Sequence, residues 1–224
     1  MSGICDLDRR GDVFVLHWHD GENRFNRASV DALGAALDEV DAADGPKALV
    51  VVGEGKYWSN GLDLEWMGTQ GGAVVGPFLD DVHRLLVRAL MFPCATVAAL
   101  NGHAFAGGAM LATAFDFRVM RDDRGYWCLP EADLRLPLTP LMYAVVAAKL
   151  PRVTAHEAIL SGRRYTSSEA VEAQIVHESA AEVDVLNRAV ERAASLAGKG
   201  VIVEHKQLMY GDVATLLTAA APPR

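Results

Sequence analysis

Two uninterrupted apolar runs, ALVVV at 48–52 and ATVAAL at 95–100, constrain this chain more than any other feature in it. A strand with one wet face alternates apolar and polar residues, whereas a strand covered on both faces is apolar throughout. Each run leads into a glycine turn and then a helical pattern, SNGLDLEW at 59–66 after the first and NGHAFAGGAM at 101–110 after the second. Strand, turn and helix in that order predict an α/β fold with parallel strands between helical layers.

The rest of the chain can be placed around this centre. Residues 4–8 and 13–18 alternate around Arg9-Arg10-Gly11-Asp12, the pattern of a β-hairpin. Ser29 is placed to cap a helix whose apolar positions Val30, Leu33, Ala36, Leu37 and Val40 recur at helical spacing. Helices are expected to begin at 62–67, to cover 82–90 and to start at Gly107, with short strands at 115–120 and 126–128. Beyond Pro137 the pattern is mainly helical, around 141–150, 155–161, 167–173 and 181–196, with a short strand at 175–177. The Ala-Pro-rich tail after Thr218 is expected to fray.

Composition narrows the function classes. With 224 residues, 51% of them hydrophobic, the chain has the length for one sizeable core. A net charge of −8 argues against general affinity for nucleic acid or anionic membranes, and no apolar run reaches transmembrane length. Cys5, Cys94 and Cys128 are odd in number and in no CxxC spacing, which suggests neither disulfides nor a zinc site. The N-terminus lacks a signal-peptide core, so the expected location is cytoplasmic. His17 and His19 share a strand face without a third ligand, and no metal is expected. His103, in the first half of the second glycine turn, reads as structural. Neither a GxGxxG, a P-loop nor a GxSxG is present, which disfavours nucleotide-triphosphate chemistry and serine hydrolysis.

The two glycine turns are the candidates for chemistry. Gly107 and Gly108 lack Cβ atoms, so a ligand can approach the main chain where a new helix presents unsatisfied N–H donors. Two such turns converging on one carbonyl oxygen would stabilise an enolate-like anion. The nearest carboxylate that could serve the site is Glu131; position alone reads it as a surface group in a loop or at a helix start.

Together the motifs resemble the crotonase, or enoyl-CoA hydratase/isomerase, superfamily, most closely its Δ3,Δ2-enoyl-CoA isomerases of the plant peroxisomal type. The similarity is carried in order by Arg24-Phe25-Asn26, SNGLDLEW at 59–66, NGHAFAGGAM at 101–110, MRDDRG at 120–125 and EADLRLP at 131–137. The resemblance implies a crotonase-like ββα spiral core over 1–178. A helical C-terminal region over 179–224 would sit at an oligomer interface of a homotrimer or homohexamer. It implies an acyl-CoA thioester substrate, with coenzyme A as part of the substrate and no separate cofactor. Leu62 and Gly107 N–H would form the oxyanion hole, Glu131 would be the acid/base, and the main chain at Leu62, Asp63 and Leu64 would hold the adenine end. Trp66 would border the acyl tunnel, and Arg24, Lys56 and Lys206 are candidates for the phosphates.

Family hydratases position water between two glutamates, and here the first of those positions is Met110, which can neither accept nor donate the proton. Moving a double bond from C3 to C2 needs one base, so the resemblance implies isomerisation of 3-enoyl-CoA to 2-trans-enoyl-CoA in fatty acid metabolism. Leu129, Leu134 and Leu136 would desolvate Glu131 and raise its pKa, with Asp133 tempering the effect. Two departures qualify the match. Arg135 stands where the related isomerases carry glycine, so either the loop is rerouted or Arg135 points into the pocket mouth to pair with a phosphate or Asp133. The chain is also shorter at its end than the hydratases, which would leave a neighbouring subunit to complete the acyl site.

Overall fold

A computed structural model describes residues 3–219. Its elements run β1 (Cys5–Arg10), β2 (Val13–Trp18), β3 (Arg24–Phe25), α1 (Arg27–Ala42), β4 (Ala48–Gly53), β5 (Tyr57–Ser59), β6 (Gly61–Leu62), α2 (Leu64–Gly68) and α3 (Gly72–Leu90). They continue through β7 (Ala95–Leu100), β8 (His103–Phe105), α4 (Gly107–Ala114), β9 (Phe117–Arg121), β10 (Trp127–Cys128), α5 (Glu131–Leu134) and α6 (Pro140–Lys149). The chain then forms α7 (Arg152–Ser161), α8 (Ser167–Glu172), β11 (Glu178–Ala180), α9 (Val185–Ala194) and α10 (Ile202–Ala219).

A six-stranded sheet has the order β1-β2-β4-β7-β9-β11, antiparallel only in the β1–β2 hairpin. The short strands β10, β8 and β5 form a second, parallel sheet, and β3 pairs with β6. β2, β4, β7 and β9 each hand the chain to one or two short strands and then to a helix, the spiral that the resemblance implies.

Alternation along the middle strands divides the interior into two clusters. Leu49, Val51 and Ala98 pack with α1, α3 and α4, while Val50, Val52, Val97 and Ala99 pack under Val185, Ala189 and Ala193 of α9. Both faces of β4 and β7 are covered, which explains their continuous apolar sequences. The segment after 178 supplies β11 to the sheet edge and α9 to one of its faces.

Several local expectations shift. Asn26, not Ser29, caps α1: Asn26 Oδ1 accepts from Ser29 N, and Ser29 Oγ accepts from Asn26 N, each at 3.0 Å. Ser29 is the reciprocal member of a capping box. Gly61 and Leu62 pair with Arg24 and Phe25 as strand, and helix begins only at Leu64 because Asp63 Oδ1 accepts from Trp66 N at 2.9 Å. The strand expected at 175–177 lies at Glu178–Ala180, although Ile175 and Val176 are buried as an apolar run should be. Helix α10 had no periodic signature, since apolar residues surround it and Leu208 remains 84% exposed. It includes Ala219, and the remainder of the tail expected to fray lies outside the described residues.

Candidate active site

The two glycine turns meet. Gly61 has φ +77°, and a Cβ built on it would lie 2.9 Å from Gly107 N and 2.8 Å from the Ala106 Cβ. A Cβ on Gly108 would fall 2.6 Å from Ser59 Oγ. Glycine at these positions is thus a packing requirement between the turns as well as a route for a ligand. Helix α4 starts without a side-chain cap, so no side chain competes for the donors of its first turn. Its preceding residue, Ala106, holds φ 51° and ψ −127°, a conformation ordinarily left to glycine.

Leu62 and Gly107 line a cavity of about 500 Å³ together with Met110 and Glu131. Leu64, Leu79, Leu134, Leu136, Leu138 and Met142 are among the apolar residues that complete its lining. Glu131 opens α5, and its Oε2 is buried without a hydrogen-bond partner. Burial pushes its pKa up to about 7, partly offset by a hydrogen bond from its own backbone. An apolar cavity thus surrounds a carboxyl group that can hold or release a proton near neutrality. Leu134 and Leu136 line it as expected, whereas Leu129 is buried in the core and does not. Asp133 points its carboxylate toward Gly162 and is not among the groups that shift Glu131.

Arg135 meets the backbone requirement that a glycine there would serve. It takes the left-handed conformation itself, φ 57° and ψ 33°, and ends α5 with Leu136 N donating to Glu131 O at 3.0 Å. The side chain is exposed, lies outside the cavity lining and makes no ion pair with Asp133. Leu64 lines the cavity at 49% exposure, and Asp63 is engaged as the cap of α2. Trp66 lies outside the lining: its ring packs edge-on against Phe78 at 4.7 Å, and its neighbour Met67 lines the cavity instead.

Of the three candidate cations, Arg24 lines the cavity, ion-paired with Glu22 at 2.6 Å. Lys56 is exposed outside the lining, with its ammonium 5.3 Å from the Tyr57 ring. Lys206 is a misreading corrected by the structure. It is 2% exposed, pairs with Asp116 at 2.7 Å and donates to Phe92 O and Cys94 O at 2.8 and 3.0 Å, which fastens α10 to the body. His103 Nδ1 accepts from Tyr126 N at 3.2 Å, a structural role. His17 and His19 each face a carboxylate of β1, Asp8 at 3.3 Å and Asp6 at 2.9 Å. Burial pushes the thiols of Cys94 and Cys128 up to about 12 and about 11, far from reactive.

The family model for enoyl-CoA hydratase/isomerase matches residues 10–218. The chain belongs to the enoyl-CoA hydratase/isomerase family. It is 34% identical to enoyl-CoA delta isomerase 3 of Arabidopsis thaliana over 206 residues, 88% of this chain and 86% of the relative. Among solved structures it is similar to a probable enoyl-CoA hydratase from Mycobacterium tuberculosis at TM-score 0.90 and 26% identity, covering 96% of this chain and 92% of that one. Human mitochondrial delta3-delta2-enoyl-CoA isomerase shares the fold at TM-score 0.91, with 20% identity and coverage of 96% and 86%. The crotonase fold is therefore established, and the chain is a crotonase-superfamily enzyme.

The walls built by Met67, Leu79, Leu138, Thr139 and Met142 had no sequence signal as a site. They converge from α2, α3, α6 and the loop before it, and no spacing within one segment encodes such a meeting.

Proposed function

We propose that this family member isomerises 3-enoyl-CoA to 2-trans-enoyl-CoA. The observation that carries the reading is Glu131 Oε2, among the described residues the one buried side-chain polar atom of the cavity lining that lacks a partner, in a site where Met110 replaces any second acid. The thioester oxygen sits between the Leu62 and Gly107 amides, which makes the C2 proton acidic. Glu131 removes that proton, the dienolate charge rests on the oxygen, and the same carboxyl returns the proton to C4. No second group and no added cofactor is needed.

The nucleotide end of the thioester lies along Leu62, Asp63 and Leu64, and Arg24 meets a phosphate at the cavity mouth. A homotrimer or homohexamer is part of the proposal, supported by the exposed apolar surface of α10, where Leu208 and Met209 are 84% and 59% exposed. The C-terminal region 179–224 supplies that face. A cytoplasmic location is proposed too, although two of the Arabidopsis thaliana relatives are peroxisomal isomerases.

The test is an absorbance assay for conjugation of 3-enoyl-CoA, run beside hydration of 2-enoyl-CoA. Isomerisation without hydration is expected, and Glu131→Ala should bind acyl-CoA without turning it over. Undiminished turnover by that variant would remove Glu131 from the mechanism, and hydration by the unaltered chain would overturn the role given to Met110. Binding without either reaction would identify a non-catalytic acyl-CoA protein.

A further inference from the structure

The loop before β3 is pinned to the first glycine turn without help from the side chain of Glu22. Asn23 is fully buried at φ 51°, its Nδ2 donates to Trp18 O and Trp58 O at 2.8 and 3.0 Å, and its Oδ1 accepts from Asp20 N at 2.7 Å. Ser59 Oγ donates to Asn23 O at 2.7 Å, and Asn60 N donates to Glu22 O at 3.0 Å. Arg24 and Phe25 then pair with Gly61 and Leu62 as strand. Main chain and Asn23 therefore set the course of this loop, and the Glu22 carboxylate is free for another task.

Glu22 Oε2 accepts from Arg24 Nε at 2.8 Å and from Asn60 Nδ2 at 2.8 Å, and Arg24 Nη2 lies 2.6 Å from the same oxygen. One oxygen thus fixes the guanidinium plane and the side-chain amide of two residues that line the cavity. It also fixes which way the amide faces, because Nδ2 must meet the carboxylate and Oδ1 is the end left over. Arg24 Nη1 and Asn60 Oδ1 have no hydrogen-bond partner among the described residues. The bond from Asn60, and after it the bond from Arg24, hold the Glu22 carboxyl below the usual carboxylate range, so it stays ionised at neutral pH. An exposed pair of this kind contributes little to stability, yet it leaves one cationic donor and one acceptor held ready in the lining.

Resting on the acyl-CoA reading above, we infer that Glu22 is a positioning residue: it presents Arg24 Nη1 and Asn60 Oδ1 to the coenzyme arm of the substrate, the first to a phosphate and the second to an N–H group. Charge alone argues the other way, since a carboxylate at the mouth repels a phosphorylated ligand. An unrestrained arginine, however, gives up its rotamer freedom when it meets a phosphate, and the shared oxygen removes that cost before the ligand arrives. Loss of this negative charge should therefore weaken the binding of an anion, the opposite of what repulsion predicts.

The experiment compares Glu22→Ala and Glu22→Gln with the unaltered chain. Binding is read by calorimetric titration with hexanoyl-CoA. Turnover is read with 3-hexenoyl-CoA and with the S-ethyl thioester of the same acid, which carries neither phosphate nor N–H. Glu22→Ala should weaken hexanoyl-CoA binding about tenfold, the worth of one hydrogen bond to a charged group, and the loss with 3-hexenoyl-CoA should appear in KM rather than in kcat. Its loss in kcat/KM should be at least about fivefold greater for the CoA ester than for the S-ethyl ester. Glu22→Gln keeps an acceptor oxygen and should recover affinity to within about threefold of the unaltered chain. Equal or tighter binding of hexanoyl-CoA by Glu22→Ala, an equal loss in both variants, or equal losses with both thioesters would overturn the inference. So would failure of Glu22→Ala to fold, because the loop would then need the side chain for its own structure. Titration with a saturated thioester requires no turnover. Binding of hexanoyl-CoA without conversion of either 3-hexenoyl ester would sink the isomerase reading and leave the affinity comparison to decide the role of Glu22.

Discussion

Gly61 and Gly107 approach so closely that a single methyl group on Gly61 would lie 2.9 Å from the Gly107 amide nitrogen. The two halves of the proposed oxyanion site therefore set each other's position through main-chain contact. Gly61→Ala would also place a Cβ at φ +77°, and the expected outcome is at least a tenfold loss of turnover with about 1–2 kcal/mol of stability. Gly34 in α1 is the control: a Cβ there meets nothing within 4 Å, and Gly34→Ala should stabilise by about 1 kcal/mol in chemical denaturation with activity unchanged.

Glu131→Gln isolates the cost of ionising a buried carboxyl. The folded chain holds this proton up to about pH 7, while an unfolded glutamate releases it near its ordinary value of 4.5. The folded state thus binds more protons across that window, and the contribution of Glu131 to stability falls as pH rises through it. The glutamine variant escapes this loss, so its advantage should be small at pH 4.5 and grow to at most about 3 kcal/mol by pH 8. Melting curves across pH check it, and a constant difference would refute the assignment. In the unaltered chain kcat/KM should rise with pH through about 7, since the free carboxylate is the base.

Ala106→Gly should relieve the strained turn ahead of α4. With φ 51° and ψ −127° in the parent, removal of the methyl should raise stability by about 1 kcal/mol, read as a higher denaturation midpoint with an unchanged slope.

Lys206→Met should be among the most damaging changes far from the cavity. It leaves the Asp116 carboxylate without its 2.7 Å partner in a nearly closed site, a loss of about 3–5 kcal/mol for a broken buried pair. Hydrogen exchange should quicken first in α10, whose Lys206 makes three contacts with the body.

What the sequence disclosed follows from how local each feature is. Leu62, Gly107 and Glu131 are fixed by short motifs whose glycines and turns impose the geometry, and the sheet is announced by the apolar runs of β4 and β7. Met142 and Leu79 belong to the site only because α6 and α3 fold over it, which no local pattern records. Lys206 was misread for the same reason: its burial depends on the docking of α10, a helix whose apolar residues follow no stripe. Arg135 shows the reverse. The left-handed position was legible, and the chain meets it with arginine in place of glycine, at φ 57° and ψ 33°.

All eight residues of α4 are buried, whereas α5 has none that are. The part of the site proposed to grip the thioester oxygen is thus inseparable from the core, and the part proposed to move the proton sits on a four-residue helix with no fully buried residue. A new reaction on this scaffold costs little when it changes which group faces the anion and a great deal when it changes where the anion rests. Substitutions on the helix that carries Glu131 are therefore expected to disturb the fold less than substitutions in α4.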